Sequence, residues 1–373
     1  MKRPAFAAAV VLAALLAPAT PGQDIIVKTD GTTLPRAGGR EIQVVKETYS
    51  EIEYRMEGIA NVLKIPAGEV EEIKYKRMPE AYESALLTYD EQEWGRALSE
   101  FEAAVERGKG YHWVEANARY RIALCHMRMG QYDEAVEAYR ALLKAVPTTR
   151  FVPDAYLGII RCTFSGQGAA GEETIVSTAG EFERLIKKNR LDEALEYDLR
   201  YELLRLRDLK GESIDADAER LAREAGGTNR AVANKARILI GINLLKRDPA
   251  KALEYFESVR KSAGERDYGI KAAAYCGIGE SLFKGIREAD PKVFTKARDY
   301  FLRAVVLADK YADRVEREVA VRAMYYAAKC FVLLQQKEGG TYNRVYARDL
   351  YREIVRAHPG SSWAKLAQEE LNK

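Results

Sequence analysis

A stripe of one small, one aromatic and one small or aliphatic residue recurs five times between residues 97 and 354. Its copies are Ala97-Phe101-Ala104, Ala135-Tyr139-Leu142, Ala252-Phe256-Val259, Ala297-Phe301-Ala304 and Ala347-Tyr351-Ile354. The spacing i, i+4, i+7 places these three side chains on one face of an α-helix. The small residue lets a neighbouring helix approach closely, and the ring fills the space above it. The sequence is therefore predicted to fold as helix pairs that stack in series.

The clearest complete unit is the 34-residue segment 116–149. Gly130 suits the left-handed end of a first helix, and Asp133 suits the positively polarised start of a second. Pro147 then ends that second helix. This unit resembles the tetratricopeptide repeat (TPR), and the recurring stripe resembles the second helix of such a repeat. The resemblance implies a mainly α fold, a TPR-like α-α superhelix or solenoid.

The helical pattern extends over residues 80–373. The gap between Ala135 and Ala252 leaves room for two further units, with helical stripes around Phe182 and Ala218. Seven helix pairs and one closing helix are predicted, at 80–108, 114–146, 153–188, 192–225, 229–262, 268–310, 316–358 and 361–372. Longer spacings between the late stripes place insertions in the turns near Gly285 and Gly339.

Residues 24–77 have a different pattern, with apolar and polar residues alternating along five short runs. The Asp30-Gly31 pair is a typical hairpin turn, and period-two alternation is typical of half-buried strands. The sequence predicts a small antiparallel β-barrel module here. It resembles the SH3-like or Sm-like barrels at the start of some bacterial exported proteins.

The N-terminus has the form of a secretory signal over residues 1–19. Lys2 and Arg3 precede an apolar run from Ala5 to Ala17, and Ala17-Pro18-Ala19 offers small residues for cleavage. An uncleaved anchor is the alternative, but about 20 apolar residues are needed to span a bilayer. We expect an exported chain, periplasmic or secreted, with no transmembrane segment after cleavage.

The charge of the chain argues against a nucleic-acid partner. The formal net charge is +3, and removal of residues 1–19 would leave 57 basic against 56 acidic residues. A balanced chain lacks the field that attracts a polyanion. We therefore expect other proteins or peptides of the envelope as partners.

Four cysteines, Cys125, Cys162, Cys276 and Cys330, lie within apolar helical patterns. An exported protein allows disulfides, but Cys125 and Cys162 occupy equivalent positions of neighbouring units. Equivalent atoms on packed helices lie ~8–10 Å apart, whereas a disulfide requires Cα atoms within ~7 Å. Buried small hydrophobic residues are the favoured interpretation.

The sequence offers little catalytic chemistry. Segment 166–171 matches the glycine spacing of a dinucleotide-binding loop, but it follows a helical pattern rather than a strand. The three histidines have no zinc-ligand spacing. Glu280-Ser281 resembles the catalytic acid of lytic transglycosylases, without their second motif. No enzyme, cofactor or metal is predicted.

The concave face of the array, formed by the first helices, is the candidate protein-binding surface. Alignment to segment 116–149 assigns to it Tyr82, Leu86, Tyr89, Asn117, Tyr120, Met127, Arg128 and Arg161. Tyrosine suits interfaces because it combines apolar area with a polar tip. The alternative is that these tyrosines pack between helices.

The style of the repeat junctions resembles bacterial periplasmic TPR proteins of outer-membrane assembly. This resemblance implies an exported protein-binding scaffold of the cell envelope. The alternatives are a cell-wall lytic enzyme built on a helical superhelix, with Glu280 as its acid, and an obligate subunit of an envelope complex.

Overall fold

A computed structural model describes residues 23–36, 38–285, 290–310, 317–339, 341–359 and 361–373. The predicted signal segment, 1–19, lies outside the described residues. Within them the fold is mainly α, with paired helices preceded by small antiparallel sheets, as the sequence predicts.

The described residues form fifteen α-helices, and successive helices pack against each other within residues 80–189 and within residues 193–371. A pair occurs at each of the seven predicted spans, followed by a closing helix. The helices are α1 Glu80–Asp90, α2 Trp94–Arg107, α3 Val114–Met129, α4 Tyr132–Ala145, α5 Val152–Gln167, α6 Glu172–Asn189, α7 Glu193–Leu209, α8 Asp215–Glu224, α9 Arg230–Leu244, α10 Pro249–Ser262, α11 Tyr268–Lys284, α12 Pro291–Lys310, α13 Arg317–Glu338, α14 Thr341–Ala357 and α15 Ser362–Leu371.

Local signals set several helix ends. Gly130 ends α3 with φ at 77°, in the left-handed region that the sequence pattern requires. The Ser361 side chain caps α15 by accepting a hydrogen bond from the Ala364 amide at 3.1 Å. The late insertions were placed in turns, but part of the extra length lies in helices, since α12 has 20 residues and α13 has 22.

The β module contains six strands, where alternation predicted five. They are β1 Ile25–Lys28, β2 Thr33–Leu34, β3 Ile42–Glu47, β4 Glu51–Met56, β5 Leu63–Pro66 and β6 Val70–Lys74. Two antiparallel sheets result, with strand orders β2-β1-β6 and β3-β4-β5. The two residues of β2 are too few to show a period, which is why the pattern misses it.

Alternating apolar side chains of both sheets fill the module's core. Ile26 lies opposite Ile73 in one sheet, and Ile52 lies opposite Ile65 in the other. Asp24 links the two sheets, because its carboxylate accepts a hydrogen bond from the Val44 amide on β3 at 2.8 Å.

The chain divides into two compact units, residues up to Asp192 and residues from Glu193 onward. The first unit contains the β module and α1–α6, and the second contains α7–α15. In the first unit, the β module and helices α1–α3 share one hydrophobic core, with the Ile73 and Tyr75 side chains in the same cluster as Phe101 and Val114. A backbone hydrogen bond from Tyr49 to the Thr148 carbonyl, 3.2 Å long, further ties the module to the helices.

The predicted stripes form the helical core. Each of their aromatic rings, Phe101, Tyr139, Phe256, Phe301 and Tyr351, is at most 2% exposed. The small residue of every stripe is buried as well, so the second helices present this face inward throughout.

Three of these rings, Tyr139, Phe256 and Phe301, fit sockets that glycines leave open. Phe256 on α10 lies against Gly241 on α9, its partner helix, and against Gly277 on α11, the next helix. A Cβ added at Gly241 would lie 2.7 Å from the Phe256 ring, and one at Gly277 would lie 2.3 Å from it. Phe301 meets Gly279 in the same way, with a Cβ only 2.7 Å from its ring. The ring therefore sets the distance both within a pair and between successive pairs.

We predict that Gly277→Ala destabilises the protein by about 1–3 kcal/mol, because the added methyl overpacks the Phe256 socket. Gly180→Ala is the matched control: Gly180 lies in α6, and a Cβ there meets no atom within 4 Å. That change should stabilise by about 0.5–1 kcal/mol through helix propensity alone. Urea denaturation followed by circular dichroism measures both, and similar effects for the two variants would contradict the socket.

Candidate functional site

The structure corrects the predicted surface at three of its residues. Tyr82 and Asn117 are 4% and 7% exposed, and Tyr89 is 7% exposed. The Tyr82 ring packs edge-on against Phe101 and Trp113, with centroids 5.6 and 5.0 Å away. The Asn117 side chain donates a hydrogen bond to the Trp113 carbonyl at 2.9 Å. The expectation that these three residues line a surface is wrong. Tyr82 and Tyr89 belong to the hydrophobic core that the β module shares with α1–α3, and Asn117 is buried as well.

The other five predicted residues, Leu86, Tyr120, Met127, Arg128 and Arg161, are half-buried. The Tyr120 ring stacks on Phe151 with centroids 4.3 Å apart and planes 10° from parallel. Burial raises the pKa of Tyr120 above its usual range. A binding role for these five residues stays a prediction.

Arg121 is a residue that sequence reasoning missed. Its guanidinium lies 4.9 Å from the centre of the Tyr89 ring, and its charge also acts on Tyr82. Burial raises the pKa of Tyr82 to about 12, while Arg121 opposes the shift. A half-buried arginine thus provides polar contacts for buried tyrosines, which makes this part of the first unit a structural junction.

The β module also contacts the helices of this region through a buried ion pair. The Tyr75 ring stacks on Trp113 at 3.7 Å, and its hydroxyl donates a hydrogen bond to Glu47. Glu47 pairs with Arg150 at 2.9 Å, with side chains only 7% and 14% exposed. Burial, and secondarily the Glu47 charge, raises the pKa of Tyr75 well above its usual value.

The second unit presents a different surface on its first helices. Phe283 on α11, Tyr325 and Tyr326 on α13 and Trp363 on α15 are all half-buried, and we call these four side chains the aromatic face. Tyr326 lies 5.4 Å from Phe283 and 5.8 Å from Trp363 between ring centroids. Tyr325 lies 5.2 Å from Trp363 and 5.7 Å from Tyr326. The four rings are therefore one continuous patch carried by three helices.

Core rings hold this patch in place from below. The Tyr326 ring stacks on Phe301 at 5.5 Å, with planes 14° from parallel. Tyr325 contacts Tyr351 at 5.8 Å. Since Phe301 and Tyr351 belong to the recurring stripe, the aromatic face is fixed by the same sockets that order the helices.

Glu280, the proposed acid of the enzymatic alternative, lies beside this patch and is 3% exposed. One carboxylate oxygen is 3.1 Å from the Lys284 ammonium, and the other is 3.0 Å from Arg322 Nε. The Cys276 thiol is also 3.7 Å away. Both oxygens are thus occupied, so this geometry does not present Glu280 to a substrate as a general acid.

Two further carboxylates at the aromatic face, Glu370 and Glu318, also have partners. Glu370 on α15 lies 3.2 Å from Lys329 and 3.0 Å from Lys373. The Trp363 indole nitrogen donates a hydrogen bond to Glu318 at 3.2 Å. By contrast, the hydroxyls of Tyr325 and Tyr326 have no hydrogen-bond partner among the described residues.

The remaining sequence motifs carry no chemistry in the described residues. Segment 166–171 joins α5 to α6 through one helical turn, and the apolar run before it is helical, which contradicts a nucleotide-binding strand. All four cysteines are free and buried, and burial raises the pKa of each thiol to about 12. Across the described ranges, no group of three potential ligands could hold a metal ion. In the same residues, no helix is long and apolar enough to cross a bilayer.

Comparison with known proteins identifies one repeat. Residues 116–149 match the family model of the tetratricopeptide repeat, and this segment spans α3 and α4. The crystal structure of the C-terminal part of a TPR repeat-containing protein from Cytophaga hutchinsonii aligns with 77% of this chain and 98% of its own. The two share 14% identity, with a TM-score of 0.30. No curated protein matches the chain. The chain therefore contains a tetratricopeptide repeat, a unit that suggests a protein-interaction scaffold.

The aromatic face was not predicted from the sequence, because the predicted binding surface covered only the first three helix pairs. The available signal was the adjacent pair Tyr325-Tyr326 in α13, together with Trp363 at the last repeat junction. The ion pair between Glu280 and Arg322 had no such signal, since 42 residues separate its partners.

We predict that Arg150→Met destabilises the first unit by about 3–5 kcal/mol, because it leaves the Glu47 carboxylate buried without its cation. The guanidinium carbon of Arg150 lies 4.3 Å from the centre of the Phe151 ring, and the methionine thioether can keep an apolar contact there. The double variant Glu47→Gln/Arg150→Met removes both charges and should lose much less stability. Denaturation curves for the three proteins test this, and equal losses in the single and double variants would contradict a buried pair.

Proposed function

We propose that this chain, which contains a tetratricopeptide repeat within an array of helix pairs, is an exported protein-binding scaffold of the cell envelope. The observation that carries the proposal is the aromatic face of the second unit. TPR proteins are generally non-catalytic scaffolds, which agrees with a surface made for contact. Export rests on the signal-like segment 1–19, with its basic start and short apolar run.

The aromatic face has the composition of a binding hot spot. Tyrosine and tryptophan are enriched where interfaces gain most of their energy, because they bury large area at a low cost in conformational entropy. Phe283, Tyr325, Tyr326 and Trp363 lie on helices rather than loops, so their positions are set before a partner arrives. Glu280 and Glu370 beside these rings already have cationic partners, which lowers the cost of removing water from them.

A cell-wall lytic enzyme is the rival proposal, and the geometry of Glu280 does not favour it. Its carboxylate is buried between Lys284 and Arg322, where it contributes to packing of α11 against α13. A scaffold needs no accessible acid at this place. An obligate subunit of an envelope complex remains compatible with the same surface.

The proposal is tested by a photo-cross-linking amino acid placed at Tyr325 in the native cells, with the full-length chain. We expect a discrete protein adduct in the envelope or secreted fraction, because this position lies within the patch, in contact with Tyr326 and Trp363. The matched control is the same amino acid at Arg352, whose side chain is 61% exposed on the second helix α14.

Adducts of equal yield from positions 325 and 352 would contradict a specific surface. A chain that accumulates in the cytosol with Met1 retained would contradict export. Muramidase activity that is lost in Glu280→Gln would favour the enzyme instead.

A further inference from the structure

The proposed function does not specify the chemistry of the ligand that the aromatic face binds. The side chains of the face indicate what that chemistry is. We propose that the aromatic face binds an extended, uncharged, proline-rich peptide segment of the partner protein. This inference rests on the proposed scaffold function and specifies what the scaffold recognises.

The first support is the arrangement of the rings. Tyr325 is inclined by 47° to Trp363 and by 82° to Tyr326, so the patch offers ring faces and edges in several directions. Proline rings pack well on such surfaces, and a polyproline helix reaches the site already extended, which reduces the entropy lost on binding.

The second support is electrostatic. Glu280 is paired with Lys284 and Arg322, and Glu370 is paired with Lys329 and Lys373. An anionic ligand would have to break one of these pairs to gain a cation of its own. A cationic ligand would meet only exposed carboxylates, such as Glu318 and Glu369, where an ion pair gains little. The surface therefore favours a segment without charged side chains.

The third support is the supply of hydrogen-bond donors. The hydroxyls of Tyr325 and Tyr326 have no partner in the described part of the chain. Burial raises the pKa of Tyr326 to about 12 and also raises that of Tyr325, so both remain neutral donors near pH 7. Each proline residue has a carbonyl acceptor and no amide donor. A proline-rich backbone thus matches two unpaired donors without leaving amides of its own unsatisfied.

A glycan is the other occupant that aromatic rings suggest, but sugars bring many hydroxyl donors that need acceptors. Glu280 and Glu370 are already engaged by cations and Glu318 by the Trp363 indole, so the exposed Glu369 near Tyr325 is a rare free acceptor among the described residues. The available groups therefore fit a peptide better than a sugar chain.

Binding of a fluorescein-labelled ten-proline peptide to the full chain, followed by fluorescence anisotropy, tests the inference. We expect saturable binding, and no comparable binding by a Gly-Ser peptide of equal length. Tyr325→Phe/Tyr326→Phe keeps the rings and removes only the hydroxyls, so affinity should fall roughly fivefold or more. Trp363→Leu should weaken binding about tenfold or more. Arg352→Ala is the control and should leave affinity unchanged.

Circular dichroism and the thermal midpoint establish that each variant is folded. Equal binding of the proline and Gly-Ser peptides, or full affinity in the tyrosine double variant, would overturn the inference. So would preferential binding of chitotetraose, which would assign the face to glycans. If no peptide binds while position 325 still cross-links a protein partner, the ligand chemistry is wrong and the scaffold function stands. If both experiments fail, both proposals fall.

Discussion

The contact on which the array depends is an aromatic ring held between small residues of two flanking helices. Phe256 lies against Gly241 of its own pair and Gly277 of the following helix, at distances that exclude a Cβ on either glycine. Because each ring touches its own pair and the next one, helices pack mainly with their sequence neighbours. Two of these core rings also hold the aromatic face in place, because Phe301 packs against Tyr326 and Tyr351 packs against Tyr325.

The two units use their first-helix faces differently. In the first unit the β module shares a core with α1–α3, and Tyr82 and Tyr89 are buried with Arg121 among them. In the second unit the corresponding face keeps four half-buried rings, and the charged groups beside them are paired. A first-helix residue that the repeat pattern places on a surface is thus exposed only where no other segment, such as the β module, packs over it.

The recurring stripe predicted helix pairs with buried rings, and alternation of apolar and polar residues predicted strands within residues 24–77. Periodicity identifies which face of one helix is apolar, but it does not reveal which segment will cover the opposite face. Tyr82 illustrates this limit, since the same residue type suits both a core and an interface. Contacts such as Glu47 with Arg150 join distant parts of the chain, and no local pattern encodes them. The sequence placed a contact surface on the first helices of the first three units. Burial contradicts that placement at Tyr82, Tyr89 and Asn117, and a binding role for its other five residues stays a prediction.

Tyr82 and Tyr89 on the first helix of the first unit are buried, whereas Tyr325, Tyr326 and Trp363 of the second unit remain accessible to solvent. Hydroxyl-radical footprinting with mass spectrometry measures this directly, because side-chain oxidation follows solvent access. The account predicts rapid oxidation of Trp363, Tyr325 and Tyr326 and strong protection of Tyr82 and Tyr89 in the same sample. Protection of the second-unit residues, or oxidation of Tyr82 and Tyr89 at comparable rates, would contradict it.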